Sequence, residues 1–199
     1  MEAFRTETIE HKGRRFLVSM HFDDDSSPPW EREDGHGPVR YCEDGEPLQR
    51  GETVLYDLPR GRYVYNFGAA LVQAFREGWG LCPEDVQALA ARLGKKPTKG
   101  QIRAEAVRKD MAYVRGWAAD HWFYMGVCVQ ILGPDDEPED DEFAQAVWGV
   151  ESCGDHWQEI AASLAGQILH ERGAAWRAAL REAREIRAWA ARDVQTVGA

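Results

Sequence analysis

The chain is poor in the features that announce a chemistry. Its 199 residues include four cysteines, Cys42, Cys82, Cys128 and Cys153, and no CxxC pair. Neither a disulfide framework nor a zinc knuckle is therefore expected, and reduced thiols are the default. No apolar run approaches the roughly 20 residues that span a bilayer, and Met1 to Glu10 lacks a basic-then-apolar leader pattern, so a soluble cytoplasmic protein without membrane contact is expected. A P-loop, a Rossmann glycine pattern, a recognisable triad and a metal-ligand cluster are all missing, which leans away from an enzyme and implies no metal and no cofactor. Positive charge is short as well: 24 Lys and Arg face 34 Asp and Glu, a net charge of -10. Because phosphate affinity comes mainly from cations that release counterions, this balance argues against a dedicated nucleic-acid partner.

What is present is enough apolar material, 44% of residues with 11% aromatic, to bury one substantial core. The charge is sorted along the chain. Residues 23–57 carry Asp23, Asp24, Asp25, Glu31, Glu33, Asp34, Glu43, Asp44, Glu46, Glu52 and Asp57 against only Arg32, Arg40 and Arg50. Residues 135–142, "DDEPEDDE", are acidic everywhere but Pro138, whereas residues 92–109 hold Arg92, Lys95, Lys96, Lys99, Arg103, Arg108 and Lys109. Acidic and basic faces are expected.

Hydrophobic periodicity organises the chain. "AFRTETIE" and "RRFLVSMHF" flank Lys12-Gly13 as a hairpin, with Phe16, Val18, Met20 and Phe22 on one face; "TVLYDL" and "RYVYNF" flank "PRG" as a second. From Phe67 the period becomes helical until Gly78-Trp79-Gly80. Pro83 to Gly94 forms a short helix, and Thr98 caps a longer one through about Trp122. "FYMGVCVQIL" and "FAQAVWGVES" follow as strands around the acidic loop. Asp155 then caps a helix whose Trp157, Ile160, Ala161, Leu164, Ile168 and Leu169 recur at three and four residues, continued by a thinner stripe from Trp176. The order predicts an α+β fold: a mostly antiparallel sheet, helices packed on one face and a long C-terminal helix. One domain is expected over 1–172, with a helical extension over 173–199.

The segments "PWEREDGHGPVR", "GETVL", "YVYNFGAALVQAFREGWG", "AVRKDMAYVRGW", "HWFYMGVCVQI" and "AVWGVESCGDHWQEIAASLAGQIL" resemble, in this order, a family of small uncharacterised proteins encoded by phages and prophages. That family has a Trp-Glu-x-x-Asp-Gly-His-Gly-Pro-Val loop, a tyrosine-rich strand and helix, and a Trp-Gly-x-Glu-Ser strand end leading into a helix. The resemblance covers roughly residues 15–170 and implies a protein acting in the cytoplasm of a bacterial host cell. It carries over no catalytic residue, and the tail from about Gly173 lies outside it.

Within the loop, Glu31, Asp34 and His36 are the candidate catalytic residues: a carboxylate and an imidazole can act as base and orienter, and Gly35 and Gly37 let backbone approach a ligand. The competing reading is that Trp30 plugs a core edge while Asp34 and His36 bond local backbone. His21, Asp23 and Asp25 lie near enough in sequence to join such a pocket, but their spacing specifies no metal. Cys153 and His156 have the makings of a thiolate and base at a helix start, yet nothing supplies a third member. "VQALAARLGKKPTKGQIRAEAV" offers a helix-turn-helix that would read DNA through Lys95, Lys96, Lys99 and Arg103. Ile102 comes late for its second helix, and Pro97 and Gly100 interrupt it.

Two readings lead. One is a phage-type interaction protein that binds a bacterial host protein, such as a CRISPR or restriction component, with its acidic surface standing where phosphates would sit. Its candidate binding residues are Trp30, Asp135, Asp136, Glu137, Asp140, Asp141, Trp176 and Trp189; the tail helix also suits self-association. The other is a small enzyme or ligand-binding domain centred on Glu31, Asp34 and His36.

Overall fold

The computed structural model describes residues 2–139 and 143–197, with the side chains of the last helix described up to Arg187. In chain order the elements are β1 (Arg5–His11), β2 (Arg14–Phe22), α1 (Pro29–Arg32), β3 (Val39–Glu43), β4 (Glu52–Leu58), β5 (Gly61–Asn66), α2 (Phe67–Glu77), α3 (Pro83–Leu93), α4 (Lys99–Ala118), β6 (Tyr124–Ile131), β7 (Gln145–Glu151) and α5 (His156–Val197). The fold is α+β and all strand pairing is antiparallel, divided between a four-stranded sheet, β1-β2-β6-β7, and a three-stranded sheet, β3-β5-β4. Among the described residues no helix is long and apolar enough to cross a membrane.

Where the sequence suggested one domain over 1–172, contacts gather into two compact units, Met1–Asp24 with Tyr124–Ala199, and Asp25–Phe123. The cause is a long-range pairing: Phe22 of β2 stands opposite Met125 of β6, so everything between them is an excursion from one sheet. Helix α5 runs unbroken through Gly173 into the expected extension, whose described side chains from Ala174 to Arg187 are exposed.

In the first unit, Lys12 and Gly13 both adopt positive φ (50° and 73°), the twist-matched geometry of a two-residue hairpin turn. The register sets Phe16 opposite Ile131, Val18 opposite Val129 and Met20 opposite Val127, and all six side chains are buried on one face. Helix α5 lies against β6, β7 and β1, burying Trp157, Ala161, Leu164, Ala165 and Ile168 at helical spacing. Each large apolar side chain so buried contributes about 1.5–3 kcal/mol. Gly126 makes room in β6 for the Trp148 ring, since a Cβ there would stand 2.5 Å from it and force the ring to move.

In the second unit, helices α2 and α4 pack together and both touch β4. Leu55, Tyr65, Ala70, Ala74, Val107 and Val114 form its buried core, with Trp30, Tyr63, Phe67 and Met111 packed against them. Asn66 caps α2 by accepting from the Ala69 N–H, Gly78 and Gly94 close α2 and α3 in left-handed conformations, and Thr98 with Gln101 forms a reciprocal cap on α4. Helix α4 stops at Ala118 and not near Trp122. The His121 N–H donates to the Gly116 carbonyl at 2.8 Å, Asp120 turns left-handed, and Trp122 folds back to donate to the Tyr113 carbonyl at 3.0 Å. Strand β3 and helix α1 lie in the acidic stretch that the sequence read as loop.

Candidate functional site

The 28–40 loop is ordered and packed within its unit. Pro29 starts the single turn of α1, which points Trp30 inward, where it meets Tyr63 and Trp117 edge-on at ring separations of 5.2 Å each. Trp30 is thus a core plug, which accounts for a Trp between prolines: Pro28 and Pro29 limit the freedom lost on ordering and the indole supplies the anchor.

Beyond α1 the chain reaches Asp110 of α4, and here the site differs from its expected form. The carboxylate partner of the His36 ring is Asp110, whose Oδ1 lies 2.6 Å from Nδ1, and not Asp34 two residues earlier. The second oxygen of Asp110 accepts from the Gly37 N–H at 2.8 Å and from the Tyr65 hydroxyl at 2.6 Å. The imidazole stacks on Tyr113 at 5.3 Å with 9° between the planes, and Gln73 donates to the His36 carbonyl at 3.2 Å. Only 14% of the His36 side chain and 9% of Asp110 remain exposed, so the three bonds converging on this carboxylate are sheltered from water. Burial, and then the bond to Asp110, raises the Tyr65 phenol far above its ordinary range and keeps it a donor.

This geometry also explains the glycine pair of "DGHGP". Gly35 has φ of 100°, open to glycine at little cost, and a Cβ on Gly37 would sit 2.2 Å from the Tyr65 hydroxyl oxygen and 2.8 Å from the Ala70 Cβ. Glu31 and Asp34 are exposed, so the expected trio does not converge. Beside Asp110 opens a recess of about 410 Å³ lined by Gly35, Trp79, Cys82 and the ion-paired Asp85 and Lys109. The His36 Nε2 atom is buried. The bonds from His36, Gly37 and Tyr65 to Asp110 tie the loop to α4.

The other candidates disperse. Cys153 donates to Glu151 at 3.5 Å, and burial together with that carboxylate raises its thiol pKa, while His156 faces Glu159 at 3.3 Å; the two do not form a dyad. The His21 Nε2 meets the Ser19 hydroxyl at 3.1 Å. Within the acidic loop Asp136 pairs with Arg15, while Asp135 and Glu137 are exposed at the turn. Asp140, Asp141 and the Trp189 side chain lie outside the described residues. Arg40 gathers two carboxylates of the acidic stretch, bonding Glu52 at 2.7 and 3.0 Å and Glu46 at 2.7 Å, and so holds both below the usual carboxylate range.

No local motif singles out Asp110 or Tyr65 in the sequence. A signal existed: Asp110 falls between Val107, Met111 and Val114 on the apolar face of α4, where an acid must find partners. Comparison of the chain with protein-family models, curated proteins and solved structures found no match.

Proposed function

We propose that the chain is a phage- or prophage-type interaction protein that binds a bacterial host protein and restrains a defence system of the CRISPR or restriction kind. The observation that carries the reading is the second half of α5. From Ala174 to Arg187 every side chain is exposed, and Trp176 (65%), Leu180 and Ile186 are large apolar groups left in water. A long helix surrounded by solvent is marginal by itself, and exposed aromatic and aliphatic groups on one segment suit a partner surface. The net charge of -10 and the exposed Glu31, Asp34, Asp44 and Asp57 suit a partner whose own site is basic. The enzyme alternative is weaker because Glu31 and Asp34 stand apart from the buried His36.

The test starts from capture on the immobilised full chain, followed by titration of the purified captured protein. Trp176→Lys/Leu180→Lys and Glu31→Lys/Asp34→Lys/Asp44→Lys should each weaken binding at least tenfold, since a buried interface anchor is typically worth more than about 1.4 kcal/mol. Retention of no bacterial protein, or wild-type affinity in both variants, overturns the reading.

A further inference from the structure

We propose that the Asp25–Phe123 unit carries a contact for single-stranded nucleic acid where the C-terminal ends of α2 and α3 meet the N-terminal half of α4. This goes beyond host-protein binding and does not depend on it. The overall charge argues against such a partner, but the fold sorts the cations in a way that a sum conceals. Arg92 and Arg108 both spend their charge on Glu105, at 2.7 and 2.9 Å, and Lys109 pairs with Asp85. The Arg92 and Lys109 pairs tie α3 to α4, the Arg108 pair lies within α4, and together they engage three of the seven cations of the basic run. Lys95, Lys96, Lys99 and Arg103 make no ion pair among the described residues, and neither does Arg76 at the end of α2.

An aromatic platform lies beside one of these free cations. The Arg103 guanidinium sits 4.8 Å from the centroid of the Phe75 ring, and Phe75 is 67% exposed. Arg103 reaches the ring from α4, and Lys99 lies one turn before Arg103 on the same side of that helix. A cation over a ring contributes about 0.5–1 kcal/mol at an exposed site, which leaves most of the apolar surface of Phe75 still to be covered.

The chemistry that uses both features is an anionic backbone with planar bases. Phosphates take the lysines and arginines, and a base stacks on the ring, a contact tolerant of sequence because every base has a π-face. A duplex offers phosphates but hides its base faces, and an acidic peptide satisfies the cations but leaves the ring idle. Three or four phosphate contacts give a log–log salt slope of roughly -2 to -3 for a single strand.

The experiment is fluorescence anisotropy of a labelled 15-nucleotide oligothymidine with the full chain, against the matching duplex and a poly-glutamate peptide. Expected are binding of the single strand in preference to both competitors, a roughly tenfold loss in Phe75→Ala, and a larger loss in Lys99→Glu/Arg103→Glu. Arg92→Gln, whose cation is already paired, should change affinity less than about twofold; Phe75, Arg92 and Lys99 are exposed and Arg103 half-buried, and the melting temperature reports that each variant folds. The proposal is overturned by absence of binding at low salt, by equal binding of duplex or peptide, or by an affinity that responds to the cations but not to Phe75→Ala; these last two outcomes would mark a simple anion patch or an acidic-protein site.

Discussion

Two tryptophan-bearing segments, the 28–40 loop and the 174–187 stretch of α5, read alike in sequence as candidates for binding but differ in what becomes of their tryptophans. The loop turns inward: Trp30 meets Tyr63 and Trp117, and His36 and Gly37 are held by Asp110. The helix keeps regular backbone but finds no cover for Trp176, Leu180 or Ile186. Backbone regularity and burial are therefore separate matters. The irregular segment contributes to the stability of its unit, whereas the regular one leaves its apolar groups available to something else.

The contrast is tested most severely at the carboxylate. Asp110→Ala leaves His36, the Gly37 N–H and Tyr65 without their shared acceptor, and should cost about 3–5 kcal/mol in urea unfolding, as loss of one member of a buried charged network does. A loss below 1 kcal/mol would mean that the loop is held by Trp30 alone.

Next comes the matched pair of tryptophans. Trp30→Ala should destabilise by about 2–3 kcal/mol, somewhat under the figure for a fully buried Trp, while Trp176→Ala should stay within about 0.5 kcal/mol. Similar effects at the two sites would break the comparison.

Tyr65→Phe should cost about 1–2 kcal/mol near neutral pH through the lost bond to Asp110. It also has a pH signature. The folded-state pKa of Tyr65 is raised above its unfolded value of 10.0, so its contribution is fully present below about pH 10 and is lost as the pH climbs toward the folded value. The wild type should lose stability progressively above pH 10, and the variant should lose less over that range.

The smallest expected effect is at Asp34. As an exposed residue outside the clamp, Asp34→Asn should shift stability by no more than about 0.5 kcal/mol. A large shift would restore the Asp34 and His36 pairing that the sequence suggested.

Much was legible without coordinates because it is written in neighbouring residues. The turn at Lys12-Gly13, the caps at Thr98, Gly78 and Gly94, the strand pair around the acidic loop and the helical spacing from Trp157 to Ile168 all follow from backbone preference and side-chain period. So does the α+β class. Strand β3 escaped notice because it is a five-residue edge strand with one buried side chain, Cys42, and so has almost no alternation to read.

Only the tertiary structure decided which distant residues meet. Pairing of β2 with β6 across about a hundred residues makes the middle of the chain a unit of its own, and no local pattern records that closure. The partner of His36 lies 74 positions away, on a helix whose acid looked like one more charge. The acid nearest in sequence lost because a loop with Gly35 in a left-handed turn sends Asp34 to water and brings the ring to Asp110. Dihedral preference and period are local and can be read from a few residues; a buried polar group's partner is whichever one the packing brings within hydrogen-bond reach.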